Sequence, residues 1–152
     1  MKNLKKFAVV VLCLAVLCGV SEAVEFAQYA VDIVNLVNAE RRKARLGDLA
    51  IDNELMAATA LRARELESAF SHNRPDGRSY DTVLREFNVR PYNAWGENIL
   101  YNQSNNPADA MQQWMDSSGH RANILSGNFT HIGVGIHQSE DITYVVQIFV
   151  GR

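Results

Sequence analysis

The segment FTHIGVGIHQSEDITYVVQIFV, residues 129–150, decides how this chain folds. Its first part, Phe129 to His137, alternates aliphatic residues with glycine and histidine, and alternation of this kind predicts a strand with one buried face. Its second part, Ile142 to Val150, is apolar on both faces, which is typical of a strand in the middle of a sheet. We therefore expect the chain to end in two strands, the last of them central.

Helical patterns precede these strands. From Ala27 to about Ala44, apolar residues recur every three or four positions and basic residues gather at the C-terminal end, where the helix dipole favours cations. We expect Gly47 to stop this helix. A second helix should begin at a cap formed by Asp52 or Asn53 and run to about Phe70.

The second helix and the elements after it complete the prediction of the fold class. On the second helix, Arg62 falls on the inner side and is expected to be half-buried. Helices on both sides of a small, mainly antiparallel sheet predict the α/β class, as a three-layer α/β/α sandwich. The remaining predicted elements are a loop over 71–80, a short helix over 80–87, a strand over 96–101, a helix from Pro107 to about Met115 and a short helix over 119–125 capped by Ser117-Ser118.

The first 23 residues have the features of a secretory signal peptide. Three lysines precede an apolar run over residues 7–20, and Ser21-Glu22-Ala23 supplies small residues at the cleavage-site positions. The apolar run is too short to span a bilayer comfortably. We expect cleavage after Ala23, export to the periplasm or the extracellular space, and one mature domain over residues 24–152 with no transmembrane segment.

The composition of this predicted domain argues against several classes of function. Both cysteines, Cys13 and Cys18, precede it, so the domain is cysteine-free and uses no disulfide. Removing three lysines and Glu22 takes the formal net charge from −2 to −4. No basic surplus is left to attract nucleic acid or an anionic membrane. We expect a monomer whose partner is a ligand of the cell envelope or the extracellular space.

Three residues are candidates for a site that binds a metal or polarises water. His120 would lie in the first turn of its helix, where the dipole favours the neutral imidazole that binds metals. With His72 and Glu97 it would supply two imidazoles and a carboxylate, which suit zinc with an open coordination position. The spacing does not by itself establish a metal site, because no HExxH pair occurs and hydrogen-bonded structural histidines fit the same positions.

Four other residues have side chains that could serve a site. His131 and His137 share one face of a predicted strand, where histidines are most often partly exposed packing residues, and we leave them unassigned. Trp95 and Trp114 could line a sugar or lipid groove. Large aromatic side chains beside the ends of helices and strands usually belong to the core, so we expect both tryptophans there.

Five segments together resemble the bacterial branch of the CAP superfamily, which includes cysteine-rich secretory proteins, antigen 5 and pathogenesis-related proteins. They are VNAERRKARL, SHNRPDGRS, GENIL, WMDSSGHRANIL and NFTHIGVGI, in this order between Val37 and Ile136. The resemblance implies an α/β/α sandwich with a cleft of two histidines and two acidic residues. It places the histidines at His72 and His120 and one glutamate at Glu97. The other acidic position holds Ser117, which implies a weaker metal site.

Three functions are compatible with these residues. The first is a binding module in which the same cleft holds a divalent cation, zinc being the candidate, or a polar ligand. The second is a hydrolase, a peptidase, with Glu97 or a histidine as the general base acting on water or on a nearby serine. The third, lipid or sterol binding between helices, resembles some eukaryotic members. No GxSxG elbow occurs and the candidate serines lie at caps and turns, so we favour the binding module.

Overall fold

A computed structural model describes residues 24–152 of the chain. The predicted signal peptide over residues 1–23 lies outside this range. The first helix, α1, covers residues 24–43. The elements after it are β1 (Ala50–Ile51), α2 (Asn53–Ser68), α3 (Thr82–Glu86), β2 (Ala94–Asn102), α4 (Pro107–Asp116), α5 (Ser118–Ile124), β3 (His131–Ser139) and β4 (Ile142–Gly151).

The four strands form one sheet in the order β1-β3-β4-β2. Strand β4 lies between β3 and β2 and is antiparallel to both, whereas β1 is parallel to β3. The predictions of a central last strand and of a mainly antiparallel sheet are confirmed. Strand β1 was not predicted, because two residues are too few to show a period of hydrophobicity.

Side chains that alternate along β4 fill two separate cores. On one face, Val145 and Phe149 pack with side chains of α1, α4 and α5. On the other face, Val146, Ile148 and Val150 pack with side chains of α2 and α3. Because successive side chains of a strand point to opposite faces, the apolar run in β4 supplies both cores at once. The three-layer α/β/α sandwich is confirmed.

Helix α2 lies unusually close to β3 at two glycines of the segment quoted above. A Cβ atom at Gly135 would lie 2.1 Å from the carbonyl oxygen of Thr59, and one at Gly133 would lie 2.5 Å from the carbonyl carbon of Leu55. These neighbours are helix backbone and cannot turn aside. The glycines therefore set how deeply α2, with Arg62 on its inner side, sits against the sheet.

Helix α1 ends at residue 43, before it reaches Gly47, which was predicted to stop it. Arg45 adopts a positive φ of 61°. Its amide donates to the carbonyl of Arg42 at 3.0 Å, and the amide of Leu46 donates to the carbonyl of Arg41 at 2.9 Å. These two bonds satisfy carbonyls of the last turn before the chain reaches Gly47, so that prediction was wrong.

The starts of α2 and α4 follow the local chemistry that the sequence indicated, whereas the start of α5 does so only in part. Asp52 caps α2, and its carboxylate accepts a hydrogen bond from the amide of Leu55 at 2.8 Å. Pro107 opens α4, capped by Asn106. Ser117 occupies the N-cap position of α5, but its hydroxyl makes no capping hydrogen bond.

Two predictions about burial were wrong. Arg62 is completely buried rather than half-buried, because its guanidinium group pairs with Glu97 on β2 and with Glu65 on its own helix. Trp114 belongs to the core as expected, but Trp95 is 48% exposed. Trp95 lies near the start of β2, which is an edge strand.

Candidate functional site

The site is built around a carboxylate buried in the sheet. Glu97 lies on β2, and its side chain is fully buried on the face covered by α2. The Nε atom of Arg62 donates to Glu97 Oε2 at 3.0 Å, and Nη2 lies 3.4 Å from Oε1. Burying a carboxylate without a partner is costly, and the guanidinium group offsets this cost. Arg62 therefore fixes the position of Glu97.

Glu97 in turn holds the first candidate histidine. Nδ1 of His72 lies 2.8 Å from Glu97 Oε1. Because an ionised carboxylate only accepts, Nδ1 carries the proton and Nε2 of the neutral ring keeps a free lone pair. The hydrogen bond to Glu97 raises the pKa of His72, while partial burial and the charge of Arg62 act in the opposite direction. The ring stays 56% exposed, so a ligand can reach it.

A row of alternating charges holds the loop that carries His72. Glu65 accepts hydrogen bonds from Arg62 at 2.7 Å and from Arg74 at 2.6 Å. Arg74 reaches on to Glu86 at 2.6 Å, and its carboxylate partners raise its pKa. The carbonyl of His72 itself accepts from the amide of Tyr80 at 3.0 Å. The loop is thereby attached to both α2 and α3.

The second candidate histidine belongs to the opposite layer of the sandwich. The backbone carbonyl of His120, on α5, accepts a hydrogen bond from Asn98 Nδ2 at 3.1 Å, and the same amide group contacts Gln147 Oε1 at 3.0 Å. Asn123 of α5 donates to Asn98 Oδ1 at 2.9 Å. Burial lowers the pKa of His120, and the charge of His72 lowers it further. Protonation of His72 therefore disfavours protonation of His120.

The predicted site residues thus come together to different degrees. His72 and Glu97 are in direct contact, and His120 is coupled to His72 through charge. Ser117 lies three residues before His120 at the start of α5, a spacing that places both on the same side of the helix. Within residues 24–152, no group of three or more His, Cys, Asp or Glu side chains is arranged to hold a metal ion.

Two imidazoles with a free nitrogen suit a divalent cation that completes its coordination with solvent or a ligand. Both oxygens of Glu97 already accept hydrogen bonds from the protein. The donor set therefore fits a site of two histidine ligands, in which Glu97 orients His72. Glu97 as a direct ligand stays a prediction.

The contribution of Arg62, Glu65 and Arg74 to this site was not predicted from the sequence. A signal was present in the position of Arg62, which falls on the apolar side of α2 between Ala58 and Leu66. An arginine inside such a stripe needs a buried anion, because a guanidinium group is not left buried without a partner.

The remaining histidines have partners of their own. Nε2 of His137 lies 2.8 Å from Glu67 Oε2, and Nδ1 of His131 lies 2.8 Å from the hydroxyl of Thr130. Among the residues that the structure describes, neither His72 nor His120 hydrogen-bonds to a serine hydroxyl. A serine–histidine pair that could start nucleophilic catalysis is therefore not formed there.

No helix in the described part of the chain combines the length and the hydropathy that crossing a membrane requires.

Sequence comparisons relate the chain to known proteins over most of its length. Residues 34–149 match the CAP family, described as the cysteine-rich secretory protein family. The chain is 37% identical over 126 residues to the uncharacterized protein YkwD of Bacillus subtilis (strain 168), which covers 82% of this chain and 48% of YkwD. It is 33% identical over 122 residues to the uncharacterized membrane protein YlbC of the same strain, covering 79% of this chain and 34% of YlbC.

A solved structure shares the fold. An extracellular protein containing a SCP domain from Bacillus anthracis str. Ames superimposes with a TM-score of 0.76 at 26% identity, over 84% of this chain and 41% of that protein. The chain thus spans about half the length of YkwD and a smaller share of the other two proteins.

Proposed function

Because the chain belongs to the CAP family, the cysteine-rich secretory protein family, we propose that it is an exported binding domain. In this proposal, the cleft between His72 and His120 holds a divalent cation, zinc being the candidate, or a polar ligand. The observation that carries the proposal is the 2.8 Å contact between His72 Nδ1 and Glu97 Oε1. Export is supported by the predicted signal peptide and by the similarity to an extracellular Bacillus anthracis protein.

The contact matters because it prepares His72 as a ligand. A histidine whose Nδ1–H group donates a hydrogen bond to a carboxylate is held in one orientation, and its Nε2 atom becomes more basic. Arg62 is fully buried and keeps Glu97 in place. His120 has a lowered pKa and is therefore neutral near pH 7, as metal binding requires. A bound zinc ion would supply a Lewis acid that polarises whatever ligand or water it coordinates.

Ser117 limits the strength of such a site. The hydroxyl group carries no charge, whereas the family resemblance implies a carboxylate at the equivalent position. Changes of this kind among the groups that support a metal site alter affinity by about 10 to 100-fold. The domain should therefore bind zinc, but weakly.

Calorimetric titration with zinc tests the proposal. We expect His72→Ala and His120→Ala each to abolish binding while leaving the fold intact, and Ser117→Glu to tighten binding by about 10 to 100-fold. His131→Ala is the matched control, because His131 contacts Thr130 instead of the cleft, and it should bind like the wild type. The cation proposal fails if the wild type gives no heat with zinc and Ser117→Glu changes nothing.

The pH dependence of zinc affinity should show two slopes. Zinc needs neutral imidazoles, and Glu97 raises the pKa of His72 above 6.5 whereas burial lowers that of His120 below it. As the pH falls, we expect affinity to drop about tenfold per pH unit once His72 is protonated, and about 100-fold per unit below the pKa of His120. Titrations between about pH 8 and about pH 5 measure this. If affinity instead falls about 100-fold per pH unit as soon as it begins to fall, the two histidines lose their zinc-binding form together, and the difference between their pKa values is contradicted.

A further inference from the structure

A cavity of about 530 Å³ lies outside the cleft, where α3 meets the start of β2. None of the residues proposed above to bind zinc lines it. Its walls combine aromatic and charged side chains and are formed by Asp81, Arg85, Arg90, Pro91, Tyr92 and Trp95. A volume of this size is within the range of pockets that bind small molecules.

Trp95 is the exposed apolar surface of this cavity. The four residues that follow it on β2 are buried, whereas Trp95 itself is 48% exposed. Its ring packs edge-to-face against Tyr92, with centroids 5.6 Å apart and an angle of 75° between the planes. Burying an indole is among the largest apolar gains a side chain can make. The fold leaves about half of the Trp95 side chain exposed, so a ligand that covers it gains the free energy of burying this apolar surface.

Within the described range, the two arginines of the cavity lack close carboxylate partners and can bind an anion. The side chain of Arg85 is 63% exposed, and its nearest carboxylate, Asp81, lies 4.0 Å away. Arg90 is exposed and forms no ion pair within residues 24–152. By contrast, Arg62 and Arg74 each contact carboxylates at 3.0 Å or less. The cavity thus has two cations for one carboxylate.

We propose that this cavity binds an acidic sugar, meaning a polyhydroxylated ring with a carboxylate or phosphate substituent. The C–H face of a sugar ring packs well on an indole, because the aromatic face is negative and C–H groups are positive. Arginine side chains bind anionic substituents through paired hydrogen bonds. Asp81 can accept hydrogen bonds from hydroxyl groups, which a site for a bare anion has no reason to include. Nucleic acid is disfavoured by the net negative charge of the chain.

The tryptophans of this chain allow a direct readout. The sequence contains two, and Trp114 is completely buried, so changes in fluorescence caused by a ligand report on Trp95. We expect trigalacturonic acid, an acidic sugar oligomer, to shift the tryptophan emission in a saturable way. Maltotriose, a neutral oligomer of the same ring number, should bind at least about tenfold more weakly, since it lacks the carboxylates.

Variants separate this site from the cleft. Arg90→Ala should weaken trigalacturonic acid binding at least about tenfold. Arg64→Ala removes an exposed arginine of α2 that lies outside the cavity and should have no effect, and His72→Ala should also bind like the wild type. Trp95→Ala, followed by calorimetry, should lose binding of the acidic sugar. The proposal is overturned if Arg90→Ala binds as the wild type does, if neither oligomer binds, or if inorganic phosphate binds as tightly as the acidic sugar.

Discussion

Glu97→Gln should destabilise the domain by about 3–5 kcal/mol, the largest loss we expect from one substitution. The reason is Arg62, whose guanidinium group is fully buried and would lose its charged partner on β2. Glutamine keeps the size and one acceptor oxygen of the side chain but not the charge. Glu65 still contacts Arg62 at 2.7 Å, which places the expected loss toward the lower end of that range.

Urea unfolding of purified variants measures this loss. Glu67→Gln is a matched control, because Glu67 is exposed and contacts His137 on the surface, so the free energy of unfolding should fall much less than for Glu97→Gln. Adding Arg62→Met to Glu97→Gln should cost less than the two single losses together, since the double variant leaves no buried charge unpaired. A loss at Glu97→Gln no greater than that at Glu67→Gln would contradict the buried ion pair.

Gly135→Ala should cost about 3 kcal/mol, at the upper end of what overpacking does. The added methyl group would lie 2.1 Å from the carbonyl oxygen of Thr59 and 2.2 Å from its carbonyl carbon, so α2 would have to move away from β3. This movement would also draw Arg62 away from Glu97. Urea unfolding again gives the loss.

Gly47→Ala is the control for this substitution. Nothing lies within 4 Å of a Cβ atom at Gly47, so alanine there should be neutral or stabilise by up to about 1 kcal/mol through the unfolded chain. If the two alanine variants unfold at the same urea concentration, α2 does not lie as close to β3 as the structure has it.

The pattern of apolar and polar residues along the chain was sufficient to predict most of the fold. The alternation in β3 and the apolar run of β4 are properties of neighbouring residues, so both strands and their faces could be predicted. Strand β1 could not, because Ala50 is extended only by pairing with His131, far along the chain. The end of α1 could not be predicted either, since Arg45 adopts a positive φ that glycine usually adopts at a helix end.

The candidate site could be predicted only in part. Residue type and family resemblance singled out His72, Glu97 and His120, but the contact between the first two depends on how a loop folds back over a strand. Nothing in a separation of 25 residues indicates that. The exposure of Trp95 goes with the position of β2 at the edge of the sheet, which is set by pairing between distant parts of the chain.

Consecutive residues of β2 attach the two sides of the cleft. Glu97 faces α2 and holds His72, whereas Asn98 faces the other layer and holds the backbone of His120. The His72 ring and the backbone of His120 are therefore positioned relative to each other across a single peptide unit of a paired strand. A cleft built in this way is preorganised, and its ordering entropy is lost when the protein folds and not when a ligand arrives. Association should then be limited by diffusion and desolvation, with no closing motion to slow it.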